Sequence, residues 1–184
     1  LDLEPLSAPS SANVLSNAAE VQLALNSAYI HTGITFNFCC GAEYSGVMAL
    51  DEFTDIAWNR SNGGIQAIGE GNMRNDLGIL ENYWNNFYNG IGKANYILDN
   101  LDRATDNVEQ VQLDQFEGEA LFLRAYYYYY LATLFGDVVL HTASPDASGA
   151  SNFPLTEQAV VLSQVSEDIS AAVSLLSEDK VSPN

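Results

Sequence analysis

Residues 118–137 read GEALFLRAYYYYYLATLFGD, a run of helix formers that contains five consecutive tyrosines and stops at Gly136. Successive residues of an α-helix are about 100° apart, so five adjacent side chains point around more than one full turn. The tyrosines therefore cannot all face one neighbour. We expect apolar contacts and hydrogen bonds to the phenol hydroxyls to cover this helix on both sides. The stretch predicts the central helix of a packed helical array.

Apolar residues recur at alternating steps of three and four on two segments, a spacing typical of amphipathic helices. One segment predicts a helix from Leu77 to Leu101, and the other a helix from Leu113 to Leu134. Because they lie at helical spacing, we interpret Trp84 and the tyrosines as core residues rather than as a sugar platform. The apolar stripe of the first helix is Leu77, Leu80, Trp84, Phe87, Ile91, Ala94, Leu98 and Leu101. The opposite face of that helix is polar but barely charged and carries Asn82, Asn85, Asn86, Asn89 and Lys93. The apolar stripe of the second helix is Leu113, Phe116, Ala120, Leu123, Tyr127, Tyr130 and Leu134.

The amino-terminal segment predicts an extended lead-in over residues 1–16, which are rich in Ser, Pro and Ala, followed by a helix. Asn17 with Glu20 three positions later resembles a capping box. The helix is expected to run to about Thr32, before Gly33. Its predicted buried residues are Val21, Leu25, Ala28 and Tyr29.

Two further helix starts carry capping signals. Asp106 and Glu109 form a capping pair ahead of the tyrosine helix, and Thr156 can cap a last helix. Residues 137–155 are expected to form the connection between them, with residues 138–140 extended. The apolar stripe of the last helix is Val161, Leu162, Val165, Ile169, Ala172 and Leu176.

These patterns predict an all-α fold built from tetratricopeptide-like helical hairpins with long irregular loops. Residues 17–184 form the helical-repeat domain, and residues 33–74 are a loop insertion within it. The insertion contains seven glycines, and one short helix is expected near residues 47–58. Long loops inside compact domains are usually functional or mobile, so the insertion is where we expect a binding site.

Composition excludes several classes of function. Six basic and 24 acidic residues give a net charge of −18, which argues against nucleic-acid binding and against adhesion to anionic lipid. Neutral or cationic partners are favoured instead. The apolar runs are too short to span a bilayer. Residues 1–4 lack the features of a cleavable signal, which indicates either a cytosolic protein or a chain trimmed after processing.

The best candidate ligand site is a polar and aromatic patch within the loop insertion. A sugar ring needs an aromatic face for its apolar side, together with amides, carboxylates or a guanidinium for its hydroxyls. Ten consecutive positions supply this set, although the same residue types also stabilise loops and Trp58 could fill the core. The predicted ligand-binding residues are Asp51, Glu52, Asp55, Trp58, Asn59 and Arg60.

Arg124 lies inside the tyrosine helix, where a buried arginine needs a carboxylate or carbonyl partner. We expect a structural ion pair with Glu117, Glu119 or Asp137. Such a pair would stabilise the fold and would take no part in ligand binding.

No catalytic, metal or cofactor site can be recognised. The acidic residues include no paired carboxylates suited to glycosidase chemistry, and His31 and His141 are too isolated to suggest a metal site. The Gly-Glu-Gly run at residues 69–71 lacks the context of a phosphate loop. Cys39 and Cys40 are interpreted as two buried thiols or as one thiol paired with a missing segment. We therefore expect a protein that is not an enzyme and needs no cofactor.

Four segments resemble the amino-terminal part of the SusD/RagB family of outer-membrane lipoproteins, which capture nutrients, usually glycans. The segment at residues 118–140 is the most specific of the four. Three departures accompany the resemblance: Val139 replaces a usual proline, the arginine that often opens the last segment is absent from FPLTEQAV, and the lipid-bearing cysteine is absent. The segments are LDLEP with VQLALNSAY at residues 21–29, WNNFYNGIGKANYILDNLD at 84–102, GEALFLRAYYYYYLATLFGDVVL at 118–140 and LSQVSEDISAAVSLL at 162–176.

The resemblance implies a non-catalytic function at the cell surface. Such a protein forms a lid on a SusC-like TonB-dependent transporter of the outer membrane, holds an oligosaccharide or polysaccharide and passes it inward. It is a surface-exposed lipoprotein whose lipid anchor is absent from this chain. Family members are much longer, which implies that the carboxy-terminal half is missing here. The alternative is a helical-repeat scaffold that binds a protein or peptide, for which the asparagine-rich face of the Trp84 helix is suited.

Overall fold

The computed structural model describes residues 15–33, 51, 54–56, 64–72, 74, 77–144 and 153–176 of the 184-residue chain. Within these residues the fold is all-α, as predicted, and the one β-type contact is an isolated antiparallel bridge between Val138 and Thr156. Every helix in this part of the chain is too short or too polar to span a bilayer. The helices are α1 (Ala18–Tyr29), continued by a 3-10 turn (Ile30–Thr32), α2 (Gly64–Gly69), α3 (Gly78–Asn100), continued by a 3-10 turn (Leu101–Ala104), α4 (Gln110–Phe135) and α5 (Gln158–Leu175).

Helix α4, which contains the tyrosines, is the central element. It packs along α5 on one side and α3 on the other, and α1 contacts both α3 and α4. Tyr127 and Tyr128 are fully buried, and the Tyr127 hydroxyl donates a hydrogen bond to the Ala28 carbonyl oxygen of α1 at 2.6 Å. The prediction of a central helix is confirmed. The expected cover is missing at Tyr129, which is 50% exposed, because α1, α3 and α5 leave one strip of α4 open.

Helix α3 is buried over a wider face than its apolar stripe predicted. Phe87 and Ile91 of the stripe are fully buried, but so is Ile97, and Tyr83 is only 2% exposed. The cause is that α3 contacts both α1 and α4, so two faces are covered instead of one. Trp84 is partly buried and packs edge-on against Phe135 at a centroid distance of 5.2 Å, which confirms its predicted packing role.

The start of α1 follows the prediction. Asn17 Oδ1 accepts a hydrogen bond from the Glu20 amide at 3.1 Å, and the Glu20 carboxylate accepts one from the Ser16 amide at 2.8 Å. The hydrogen bond from the Ser16 backbone is the main reason that the pKa of Glu20 is lowered. The predicted burial of Tyr29 is wrong: its ring lies at the rim of the helix pair, where its hydroxyl donates to the Glu119 carboxylate at 3.2 Å.

The other two predicted caps are wrong. Helix α4 follows Glu109 without a side-chain cap, and the amide of Thr156 pairs with Val138 in the bridge. The Asp137 carboxylate caps α5 instead, accepting a hydrogen bond from the Gln158 amide at 2.9 Å. The predicted loop insertion also contains α2, which was not predicted because it begins and ends with glycine, a residue that disfavours helix.

Candidate functional site

Of the predicted ligand patch, the structure describes only Asp51 and Asp55. Asp51 and Asp55 are exposed on a turn in which the Thr54 amide and hydroxyl donate to the Asp51 carbonyl oxygen at 3.1 and 2.6 Å. Their carboxylates are therefore open to solvent. The remaining residues of the patch, and both cysteines, lie outside the described residues: Glu52, Trp58, Asn59, Arg60, Cys39 and Cys40.

A groove of about 340 Å³ lies between α1 and α3, and we call it the α1–α3 groove. Its space comes from small residues, because a Cβ at Gly92 would meet no atom within 4 Å. Tyr96 stands at its edge with 37% of its surface exposed. The seven lining residues are Ala24, Ser27, Tyr88, Asn89, Gly92, Lys93 and Tyr96.

The polar groups of the groove are held by backbone contacts. Lys93 Nζ donates to the Ser27 carbonyl oxygen at 3.1 Å, in the last turn of α1, where a cation complements the helix dipole. The Tyr88 hydroxyl donates to the Val139 carbonyl oxygen at 2.8 Å, and burial raises the pKa of Tyr88. Asn89 is exposed beside them. The groove thus presents aromatic rings, an amide and an ammonium, and none of its lining residues is acidic.

The open strip of α4 carries aromatic side chains, and we call Phe122, Tyr126 and Tyr129 the α4 aromatic strip. Phe122 is 42% exposed, and its ring lies 6.4 Å from that of Tyr126. Sequence reasoning missed this surface because it assigned the whole tyrosine tract to the core. The one available signal was angular: Phe122, Tyr126 and Tyr129 fall at related positions on a helical wheel, away from the predicted stripe.

Arg124 is buried and paired, but its partner differs from the three that were predicted. Its Nε and Nη2 atoms donate to the two carboxylate oxygens of Asp168 in α5, each at 2.7 Å. Its Nη1 atom donates to Asn95 Oδ1 at 3.1 Å and to the Thr142 carbonyl oxygen at 2.9 Å. Arg124 thereby joins α3, α4 and α5 to the connection after α4, and Glu117, Glu119 and Asp137 have no part in this pair.

The connection after α4 is also fixed by Tyr128 and Asn95. The Tyr128 hydroxyl donates to the His141 carbonyl oxygen and accepts from the His141 amide, both at 2.9 Å. Asn95 Nδ2 donates to the same carbonyl oxygen at 3.1 Å. Burial raises the pKa of Tyr128 to about 12, and burial together with the Arg124 charge lowers the pKa of His141. These groups are occupied with one another, so we assign them a structural role.

The described part of the chain contains no group of three or more His, Cys, Asp and Glu side chains that could hold a metal ion. His31 Nδ1 is hydrogen-bonded to Asn86 Oδ1 at 2.8 Å, which ties the end of α1 to α3. The α1–α3 groove is suited to binding polar, uncharged molecules through ring contacts and hydrogen bonds.

Comparison with known proteins gives consistent matches. A SusD-like family model, described as starch-binding and associating with the outer membrane, matches residues 13–183. The SusD-like protein P2 of Formosa agariphila is 25% identical over 183 residues, which are 99% of this chain. The match covers only 36% of P2, so the chain spans about a third of that relative's length.

Solved structures give the same result. A SusD-like carbohydrate-binding protein from Bacteroides fragilis superposes with a TM-score of 0.76 at 25% identity, over 92% of this chain and 34% of that protein. A laminarin-binding SusD-like protein superposes with a TM-score of 0.76 at 26% identity, over 90% of this chain and 36% of that protein. The likeness confirms the predicted all-α, tetratricopeptide-like fold.

Proposed function

This chain belongs to the SusD-like family, and on that premise we propose that it captures a glycan at the outer membrane without catalysing a reaction. The observation that carries the proposal is the family match over residues 13–183, together with the likeness to solved proteins that bind carbohydrate and laminarin. The family description also associates these proteins with the outer membrane. The proposal that the chain catalyses no reaction is supported by its buried charged groups, because Arg124 and Asp168 are paired with each other.

The finer steps of the function are part of the same proposal. The protein holds an oligosaccharide or polysaccharide and delivers it to a SusC-like TonB-dependent transporter. It is a surface-exposed lipoprotein whose anchor lies outside this chain, and the chain is the amino-terminal portion of the protein. Within the chain, residues 1–16 are the lead-in and residues 17–184 the helical domain with its insertion at 33–74. That the match covers only 36% of relative P2 supports the view that the chain is one portion of a longer protein.

The ligand patch is proposed to comprise Asp51, Glu52, Asp55, Trp58, Asn59 and Arg60. Support comes from the exposure of Asp51 and Asp55, whose carboxylates can accept hydrogen bonds from sugar hydroxyls. Trp58 would supply the aromatic face against the apolar side of a pyranose ring.

Binding to neutral glycans tests the proposal. The protein is run in affinity electrophoresis against soluble starch and laminarin, with isothermal titration of the oligosaccharide that retards it. We expect retardation by at least one polymer, and weaker retardation for Trp58→Ala and Asp51→Ala. Asp106→Ala changes an exposed aspartate in the turn before α4 and is the matched control.

Two results would count against the proposal. Folded protein that is retarded by neither polymer would exclude capture of these glycans by this chain. Glycan turnover during the titration, seen as new reducing ends, would exclude a non-catalytic role. Co-purification with a TonB-dependent transporter is the separate test of delivery.

A further inference from the structure

We propose that the α1–α3 groove is a second glycan-binding subsite that takes a neutral oligosaccharide. The inference rests on the proposed function, but it places binding on two packed helices instead of on the loop insertion. Its volume of about 340 Å³ falls within the roughly 300–1,000 Å³ typical of small-molecule sites.

The shape of the groove is preformed. Gly92 and Ala24 leave space on facing helices, while the helices are held together by the contact between Lys93 Nζ and the Ser27 carbonyl oxygen. The position of the Tyr88 ring is also fixed, since its hydroxyl donates a hydrogen bond to the Val139 carbonyl oxygen. A ligand would therefore meet a surface that needs little ordering, which lowers the entropic cost of binding.

The chemistry of the groove matches a polyol with an apolar face. The exposed ring of Tyr96 can cover the C–H side of a pyranose, and the amide of Asn89 can both donate to and accept from hydroxyls. Lys93 has three N–H donors and uses one on the Ser27 carbonyl oxygen, which leaves donors for a hydroxyl oxygen. The lining is therefore mostly aromatic and apolar with a few oriented polar groups.

Charge and size narrow the ligand to a neutral glycan. The net charge of −18 repels a polyanionic polysaccharide, and a cationic ligand would find no carboxylate among the lining residues. A protein partner is the less fitting occupant, because a stable protein interface needs roughly 800 Å² of each surface, far more than a groove of this size provides.

Filling the groove tests the inference. Gly92→Leu introduces a side chain where a Cβ meets no atom within 4 Å, so it blocks the groove while keeping a residue that favours helix. Tyr96→Ala removes the ring at the edge. Using laminarin and starch oligosaccharides as probes, we expect either variant to weaken binding about tenfold, the loss of one good contact.

Matched controls separate blocking from a general effect of substitution. Gly78→Leu adds the same side chain at another open glycine of α3, and Tyr129→Ala removes an exposed tyrosine from α4. Both should bind as the unmodified chain does. Titration of the probes into isotopically labelled protein should also shift the amide signals of Gly92 and Tyr96.

The outcomes distinguish this inference from the function on which it rests. If the unmodified chain binds a probe and Gly92→Leu and Tyr96→Ala bind it equally well, the subsite is overturned and the proposed function stands. Loss of binding in Trp58→Ala alone has the same meaning. If the unmodified chain binds neither probe, both are overturned. Loss of transporter association in Gly92→Leu, with glycan affinity intact, would assign the groove to a protein partner and also overturn the subsite.

Discussion

Arg124 holds together more of the molecule than any other polar side chain described above. One guanidinium contacts Asp168 of α5, Asn95 of α3 and the Thr142 carbonyl oxygen of the connection. Arg124 is only 6% exposed, and its hydrogen bonds to Asp168 and Asn95 are buried. A buried ion pair of this kind is weak evidence of net stability but is costly to break on one side only.

The first prediction concerns that asymmetry. Arg124→Met should lower the free energy of unfolding by about 3–5 kcal/mol, because the Asp168 carboxylate stays buried without its partner. The double variant Arg124→Met/Asp168→Leu should recover most of the loss, since no unpaired charge is left. Urea unfolding followed by circular dichroism measures both.

The control for this prediction is Arg103→Met, a change at an exposed arginine, which should cost no more than about 1 kcal/mol. A double variant as unstable as the single one would show that the guanidinium matters for its hydrogen bonds to Asn95 and Thr142. In that case the unpaired carboxylate would not explain the loss.

Sequence reasoning could predict that Arg124 is paired but not with which residue. Its predicted partners were carboxylates close to it in sequence, whereas Asp168 lies 44 residues away on α5. That contact depends on how α5 packs against α4, which no local pattern specifies. The predicted burial of Tyr29 was wrong for a related reason. Its helical position faces α4, but only the packing of the helices decides whether the ring enters the core or lies along its rim.

At the scale of elements, the α3–α4 contact depends on a glycine. A Cβ at Gly90 would overlap the ring of Tyr127, which is fully buried and hydrogen-bonded to α1. Two residues later, a Cβ at Gly92 would point into open space. The same substitution at these two positions should therefore have opposite effects.

The second prediction is this matched pair. Gly92→Ala should raise the free energy of unfolding by up to about 1 kcal/mol through helix propensity. Gly90→Ala should lower it by about 1–3 kcal/mol, because Tyr127 or the helix axis must shift. Urea midpoints of the two variants and the unmodified chain give the comparison. Equal effects of the same sign would contradict the close packing of α3 on α4.

Helix positions were largely predictable, whereas helix ends were predictable only where the capping group is local. Asn17 caps α1 from within the next turn, and Gly136 ends α4 with a φ of 76°, a value that favours glycine. Helix α5 instead receives its cap from Asp137, across a connection of about twenty residues. A cap supplied from that distance leaves no signature in the sequence around the helix start.

At the scale of the whole molecule, binding surfaces were harder to predict than the fold. The loop patch was inferred from residue types, and only Asp51 and Asp55 of it are described by the structure. The α1–α3 groove was not foreseen, because it forms where Ser27 and Lys93 meet across 66 residues of chain. Composition could suggest a neutral ligand, but only the packing of two helices shows where one fits.

The tyrosines couple the stability of the whole molecule to pH. Burial raises the pKa of Tyr83 and Tyr128 to about 12, and it raises the pKa of Tyr88 and Tyr127 as well. An unfolded tyrosine loses its proton near pH 10. Between these values the unfolded chain has released protons that the folded chain still holds. Stability is thus complete below about pH 10 and falls as pH rises through the folded pKa values.

The third prediction is cooperative alkaline unfolding. Above about pH 10, each buried tyrosine should lower the free energy of unfolding by about 1.4 kcal/mol per pH unit until its folded pKa is reached. Urea midpoints measured over this range, with tyrosinate absorbance recorded in parallel, should fall as the absorbance rises in one step. Of the six basic residues only the two lysines titrate in this range, since the four arginines stay protonated, so the ten tyrosines should dominate the change. Tyr128→Phe should be less stable at neutral pH, having lost its hydrogen bonds with His141, yet should show a shallower decline. A decline equally steep in this variant would mean that groups other than the Tyr128 phenol release the protons that drive the unfolding.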